Sequence, residues 1–367
     1  LNDIDAPTST AIVNTLEPIQ LSATWDLTGR DSAERSMLTF GWLTKDIGGR
    51  RLIARNRFRN TPNAFAGVDW LWRNRGGTQI NVFYLHPVQR LPETSRELST
   101  NVQQRDDVTR DTAVAGFHVQ SWLAEGKALG EVLLLRSDGP DRRAPDSGSH
   151  DLMTLSLRAS RPPTRGAWDF EVEAAVQDGT SRPDGSPMIL DNRAHFLHLS
   201  AGYTLDAARR PRVVAQYDYA SGDEDPFDER MERFDTLYGA RSFELGPSGI
   251  YGPFVRGNLE SIGVRGTVQL TPRWNFMVTL RGFWLASKTD EWIAAELRDQ
   301  TGQSGDYIGR QLESWLAWDA VPERLTLQLG VAHLRFGRFA LTVPGATGRT
   351  HSTYLYGQLT YQVGTKR

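Results

Sequence analysis

About a dozen segments of this chain alternate apolar and polar residues one by one, and many run to ten residues or more. A period of two fits a β-strand, whose successive side chains point to opposite faces, and fits no helix. Trp168, Phe170, Val172, Ala174 and Val176 stand against Asp169, Glu171 and Glu173. Met153, Leu155, Leu157 and Ala159 stand against Thr154, Ser156, Arg158 and Ser160. The same design recurs over residues 66–73, 113–120, 197–204, 212–219, 262–270, 275–284, 325–331 and 355–363. Strands of soluble sheets usually run five or six residues. Strands of the length seen here suit a span of the bilayer.

Alternation alone fits both a soluble β-sandwich and a barrel. Two features favour the barrel. The polar face carries full charges on strand after strand, while the other face is apolar with Trp or Tyr near strand ends; a wet lumen inside and lipid outside demand that division. In lipid every backbone polar group must be paired, and closure does this. Eleven Trp, ten Tyr and fifteen Phe go with a mean hydropathy of −0.45. A barrel tolerates that combination because only every second strand residue meets lipid. No run of 18 apolar residues occurs, so no transmembrane helix is encoded. The expectation is an all-β, transmembrane antiparallel β-barrel with long loops on one side. About sixteen strands can be counted. Residues 1–367 are read as a single outer-membrane barrel domain with a polar terminal segment at 1–16. The chain begins at Leu1, not Met, which fits a processed or trimmed N-terminus.

Two regions break the simple pattern. After the strand with Val213, Ala215, Tyr217 and Tyr219, the chain leaves through Ser221-Gly222 and returns near Asn258. The intervening loop, residues 222–257, is acidic, aromatic and rich in Gly and Pro. It is long for a compact soluble domain, where most connections are a few residues. Within it Phe227, Met231, Phe234 and Leu237 have helical spacing, which fits a short helix or an irregular loop pinned by aromatics. The second region, 50–58, alternates Leu52, Ala54, Asn56 and Phe58 against Arg51, Arg55 and Arg57, with Arg59 next. Read as a strand, it sets four arginines on one face.

Both regions carry a resemblance. The run SGDEDPFDERMERFDTLYGARSFELGPSGIYG, residues 221–252, is similar to the late signature of the alginate-export family of outer-membrane β-barrels. That pattern is ASGD, then F-D-x-L-Y-G, then G-P-x-G-I-Y-G. The earlier run GGRRLIARNRFRNTPNAFAGVDWLW, residues 48–72, resembles the family's arginine-bearing segment. It departs at Ala54, where a Gly is usual, at Phe58, where a Trp is usual, and at Ala66, where an Asp is usual. With the strands between, the resemblance covers most of the chain. It implies eighteen strands, a place in the bacterial outer membrane, and a passive channel with an electropositive constriction of arginines matched here by residues 51–59. It implies an anionic polysaccharide or small anionic solute, and periplasmic or membrane protein partners.

The charges fit such a pore. Net charge is −2, so no nucleic-acid footprint appears. Four lysines stand against 38 arginines (42 cations in all), a bias toward fixed positive charge able to grip carboxylates bidentately. On the polar faces fall Arg51, Arg55, Arg57, Arg59, Asp69, Arg73, Arg158, Glu171, Glu173, Arg212, Asp218, Arg265 and Arg281, with Asp169 and Glu313 beside them. Rings of such charge set selectivity in a pore. The same residues could instead pair across strands and leave no selective field. Both readings stand at this stage.

Enzyme and cofactor chemistry find little support. There is no cysteine, hence no thiol catalysis or thiolate metal site. Asp223, Glu224, Asp225 and Asp228 offer oxygen ligands, but their spacing is not that of an EF-hand, and an exposed acidic loop is the better account. His195 and His198 point to opposite faces of a strand. Neither Ser149-His150 nor His351-Ser352 sits in a catalytic motif. The rival readings are a barrel plugged by its own loops that docks to another assembly, and a barrel hydrolase.

Overall fold

The computed structural model describes residues 18–29, 33–55, 62–92, 94–140, 148–183, 186–240, 244–247 and 251–363. Among them are nineteen strands. They begin with β1 (Leu21–Asp26), β2 (Arg35–Leu43), β3 (Phe65–Arg73), β4 (Gln79–Gln89), β5 (Asp107–Val108), β6 (Ala113–Leu123), β7 (Ala128–Pro140) and β8 (Ser149–Arg161). β9 (Ala167–Arg182), β10 (Leu190–Thr204), β11 (Arg212–Ala220), β12 (Arg230–Met231), β13 (Leu259–Thr271) and β14 (Trp274–Trp284) follow. β15 (Glu291–Trp292), β16 (Leu297–Arg298), β17 (Tyr307–Val321), β18 (Leu325–Phe336) and β19 (His351–Tyr361) complete the set. Four are two-residue pairings, leaving fifteen strands of six residues or more. Among the described residues, helix is confined to short pieces, the longest of five residues.

The chain divides into two compact units, Leu1–Ala159 with Ala174–His195 and Phe227–Val255, and Ser160–Glu173 with Phe196–Pro226 and Arg256–Arg367. In the first, β1 pairs β2, β2 pairs β3, β3 pairs β4, β4 pairs β6 and β6 pairs β7, all antiparallel. The far ends of β9 and β10 pair there too, with His195 opposite Val176. In the second, β10, β11, β13, β14, β17, β18 and β19 form an antiparallel meander.

Connections alternate along the chain between short and long. Residues 74–78, 124–127, 162–166, 272–273 and 322–324 are tight turns, whereas 90–112, 221–258 and 285–306 are long. At the first of these the Asn74 side chain accepts the Thr78 amide at 2.9 Å, which closes the turn that Arg75-Gly76-Gly77 predicts. Large aromatics stand on the exposed face beside the tight turns. In the first unit these are Trp72 and Trp122. In the second, Trp274 stacks on Trp318 at 5.6 Å and Trp168 meets Tyr203 at 5.2 Å. Aromatic girdles at a membrane interface have this placement.

Burial is inverted relative to a protein in water. Leu329 and Leu355 are 70% and 75% exposed, while Arg281 is 2% and Asp218 is 1% exposed. Along β9, Trp168, Phe170, Val172 and Val176 face out and Asp169, Glu173 and Gln177 are buried. An apolar face of this extent in water would be a liability, and in lipid it is a solvated surface. Alternation thus has the expected period, with the polar face as the inside.

Residues 50–55, expected to begin a strand, do not form one. Arg51, Leu52, Ile53 and Ala54 are all buried, where a strand with one lipid face would alternate. The segment turns at Gly48 and Arg50, both with positive φ. Arg51 and Arg55 therefore do not sit on an inward strand face. Arg57 and Arg59 lie outside the described residues. No helix forms over 225–237 either; the segment is irregular apart from β12, and Phe234 and Leu237 are buried in it.

Candidate functional site

The polar strand faces carry connected charged networks rather than isolated cations. In the first unit Asp69 on β3 receives Lys45 Nζ at 2.7 Å and Asn81 Nδ2 at 2.6 Å. The Lys45 ammonium also lies 4.8 Å from the Phe83 ring centroid. Burial pushes the Lys45 ammonium toward the neutral form, and Asp69 opposes that shift. Glu131 on β7 receives Arg158 from β8 and shares a 3.0 Å hydrogen bond with His118 Nε2 on β6.

The second unit repeats the arrangement. Arg212 Nε donates to Asp169 Oδ2 at 3.0 Å. Asp218 on β11 lies between His198 Nδ1, at 2.8 Å, and the Arg281 guanidinium. Arg281 Nε donates to Ser261 Oγ at 2.7 Å. Arg265 Nε donates to Thr279 Oγ1 at 3.1 Å, and Thr279 is in turn opposite buried Glu313 on β17. A buried charge needs a partner and further hydrogen bonds to offset desolvation, and the carboxylates of Asp69, Glu131, Asp169 and Asp218 have both.

The predicted site residues therefore separate. Asp69, Arg158, Glu171, Glu173, Arg212, Asp218, Arg265 and Arg281 lie on polar strand faces, and Arg73 bonds Gln79 beside a tight turn, at 2.8 Å. Arg158, Arg212 and Arg281 each face a carboxylate. Arg51 is buried against Glu244, and Arg55 is part-exposed beside Asp46 at 3.2 Å. Sequence reading did not single out Lys45 or Glu131. Glu131 lies in a strand whose alternation is blurred by Leu133, Leu134 and Leu135. Asp223 is also not part of an exposed acidic group: Glu224, Asp225 and Asp228 are exposed, but Asp223 is buried beside Asp290 and Arg298.

The two motif regions meet in the first unit. Ile53 pairs Tyr238 as a parallel bridge, Tyr238 N donates to Leu52 O at 2.9 Å, and Ala54 N donates to Tyr238 O at 3.0 Å. A Cβ on Gly239 would come within 1.9 Å of the Arg51 carbonyl oxygen, so a side chain there cannot fit. Asp235 is held through its backbone, its N–H donating to Gln177 Oε1 and its carbonyl accepting from Gln177 Nε2, both at 2.8 Å. The Asp235 carboxylate accepts the Leu237 amide at 2.7 Å, which supports Leu237 at φ +49°. Phe65 packs edge-on against Tyr238 at 5.1 Å. The F-D-x-L-Y-G run is thus the seam by which this loop docks on the polar face of its strands.

The start of the same loop is clipped in the second unit. Asn258 donates through Nδ2 to Ser287 O and Glu291 O, both at 3.1 Å, and accepts the Ser287 amide at 2.7 Å. Asn258 N donates to Ser221 O at 3.0 Å, and Asp223 N donates to Asp290 Oδ2 at 2.9 Å. The S-G-D run therefore has a structural task as well.

The model of the Alginate export family matches residues 27–352. The chain belongs to that family. No curated protein matches it. Among solved structures, it is similar to Pseudomonas aeruginosa OccK2 (OpdF) in complex with glucuronate, with a TM-score of 0.54 and 15% identity over 91% of this chain and 80% of that one. The P. aeruginosa outer membrane protein OpdK aligns with a TM-score of 0.55 and 15% identity, over 90% of this chain and 77% of that one. OprD from the same organism aligns with a TM-score of 0.52 and 14% identity, over 89% and 75%. The fold is an outer-membrane β-barrel, the location is the outer membrane of a Gram-negative bacterium, and the function is that of a porin-type channel rather than an enzyme.

Proposed function

We propose that this channel passes carboxylate-bearing solutes, either an anionic polysaccharide or its small uronate units, passively and without a cofactor. The observation that carries the reading is the set of guanidinium groups at Arg158, Arg212, Arg265 and Arg281 on the polar strand faces. Their forked donors match carboxylates. Each of Arg158, Arg212 and Arg281 is already matched by a protein carboxylate, so the field is local rather than a uniform positive wall. A solute carboxylate would exchange with these partners one arginine at a time. The family name and the glucuronate bound to OccK2 agree with a uronate as solute. In this reading residues 1–367 are one barrel domain.

The test is the reversal potential of the purified protein in a planar bilayer under a salt gradient. Anion preference should fall when Arg212 and Arg265 are changed to Gln. Cation preference in the wild type would overturn the reading. The docking of residues 234–240, with Phe234, Leu237, Tyr238 and Ala240 buried, favours a second reading, a barrel closed by its own loops, for which channel conductance should be absent.

A further inference from the structure

Strands β17 to β19 place three part-exposed aromatic rings on the polar face, whereas aromatics on that face of other strands, such as Phe83, Phe196 and Phe283, are buried. Trp315 is opposite Gly330 on β18, and Gly330 is opposite Tyr356 on β19. A Cβ on Gly330 would lie 2.2 Å from Tyr356 Cζ, so the tyrosine ring lies across the glycine toward Trp315. Tyr354 stacks beside Tyr356 at 5.9 Å with 23° between rings. Gln328 Nε2 donates to the Tyr356 hydroxyl at 3.2 Å and fixes the ring's outer edge. Trp315, Tyr354 and Tyr356 are each half-buried, so part of every ring is accessible.

Lipid contact cannot account for these rings. The lipid-facing residues of the same strands are Leu312, Leu316, Leu329, Val331 and Leu355, of opposite parity. Packing against a side chain of β18 does not explain them either, since the residues between them are Gly330 and Ala332. On the other side of Trp315 stands Met277; Arg265 lies two strands away, about 10 Å across the sheet at the usual strand spacing, and two residues further along, in the row of Thr279 and Glu313. Glu313 lies between the arginine and the tyrosines and offsets part of its charge.

We infer that Trp315, Tyr354 and Tyr356 form a stacking platform for a pyranose ring, with Arg265 receiving the carboxylate of the same or the next sugar unit. The inference rests on the channel reading above and adds a subsite to it. The apolar C–H face of a sugar ring packs on an aromatic face, while its hydroxyls stay free for Gln328 and for water. Stacking is tolerant of sequence and of register along a polymer. It holds a passing saccharide weakly at a defined height, and the guanidinium supplies the preference for uronates over neutral sugars.

Calorimetric titration of the detergent-solubilised full chain with triglucuronate, and separately with maltotriose, tests this. Wild type should bind triglucuronate. Trp315→Ala and Tyr356→Ala should each weaken binding of both sugars at least tenfold, while Trp315→Phe and Tyr356→Phe, which keep a ring, should retain most of it. Arg265→Gln should weaken triglucuronate alone. Retained affinity in Y356A and W315A, or no binding of either sugar by wild type, would overturn the platform. An equal effect of R265Q on both sugars would overturn the role of the arginine. Potassium chloride conductance, measured on the same preparations, reports the channel reading independently: conduction without sugar binding sinks only the subsite.

Discussion

Arg51 and Glu244 form a buried ion pair across 193 residues of sequence, with Arg51 Nε 3.1 Å from Glu244 Oε2. The pair joins the two motif regions at their centre. Removing one partner of a buried pair leaves an uncompensated charge, at a cost of about 3–5 kcal/mol, whereas replacing both by apolar residues is far milder. Glu244→Gln should therefore release the loop, seen as tryptic cleavage after Arg230 and Arg233 and a rise in single-channel conductance. Arg51→Met with Glu244→Leu should restore protection. A singly changed protein as resistant and as poorly conducting as wild type would show that the pair does not hold the loop.

Gly239 makes a second, independent test of the same seam. Its Cβ position is blocked by backbone, the Arg51 carbonyl oxygen at 1.9 Å and its carbon at 2.5 Å, so no rotamer change can relieve it. Gly239→Ala should force the 50–54 and 237–240 segments apart, with the cost of overpacking, about 1–3 kcal/mol. Hydrogen exchange should rise at the Tyr238, Ala240 and Ala54 amides, which bond across the seam. The strand amides of β13 and β14 should be unaffected. Unchanged exchange at Tyr238 would show that the seam accommodates a methyl group.

How much of this was legible in the sequence follows from what each signal measures. Alternation reports that one face differs from the other, and it located β3, β8, β9 and β11 with their inward Asp69, Arg158, Glu173 and Asp218. It fails where a segment is covered on all sides. Arg51, Leu52, Ile53 and Ala54 are all buried, because this segment packs against the Tyr238 loop through backbone hydrogen bonds and does not form a strand with one lipid face. It also says nothing of pairing, since partners such as Arg212 and Asp169 are 43 residues apart. The motif resemblance located the two regions that meet. That they meet through backbone hydrogen bonds and a glycine without room for a side chain is a property of the fold.

Asn258 should be hard to replace. It sits at φ +47°, a conformation that asparagine tolerates better than most residues, and its amide makes three hydrogen bonds to buried backbone groups. Asn258→Asp keeps an acceptor but loses both donors and adds charge. Asn258→Ala loses all three bonds, at about 1–3 kcal/mol for groups left unsatisfied. Both should lower the temperature at which the folded band is lost in seminative electrophoresis, and Asp should be no better than Ala. An Asp variant as stable as wild type would show that the Ser287 amide is the only contact that counts.

Asp299 gives the loop after β16 a pH limit. Its carboxylate accepts the Thr301 hydroxyl at 2.6 Å, the Ser304 hydroxyl at 2.7 Å and the Ser304 amide at 2.8 Å. These bonds, the Thr301 hydroxyl first, hold it well below the ordinary value of 3.8. A carboxylate depressed in the folded state stabilises fully above its unfolded value, and that contribution is lost as pH falls. The loop over 298–304 should therefore keep its hydrogen-exchange protection from neutral pH down to about 4 and lose it progressively below. Asp299→Ala should lack the protection of the Thr301 and Ser304 amides at every pH and show no transition in that window. A wild-type loop that loosens between pH 7 and 5 would place the controlling group elsewhere.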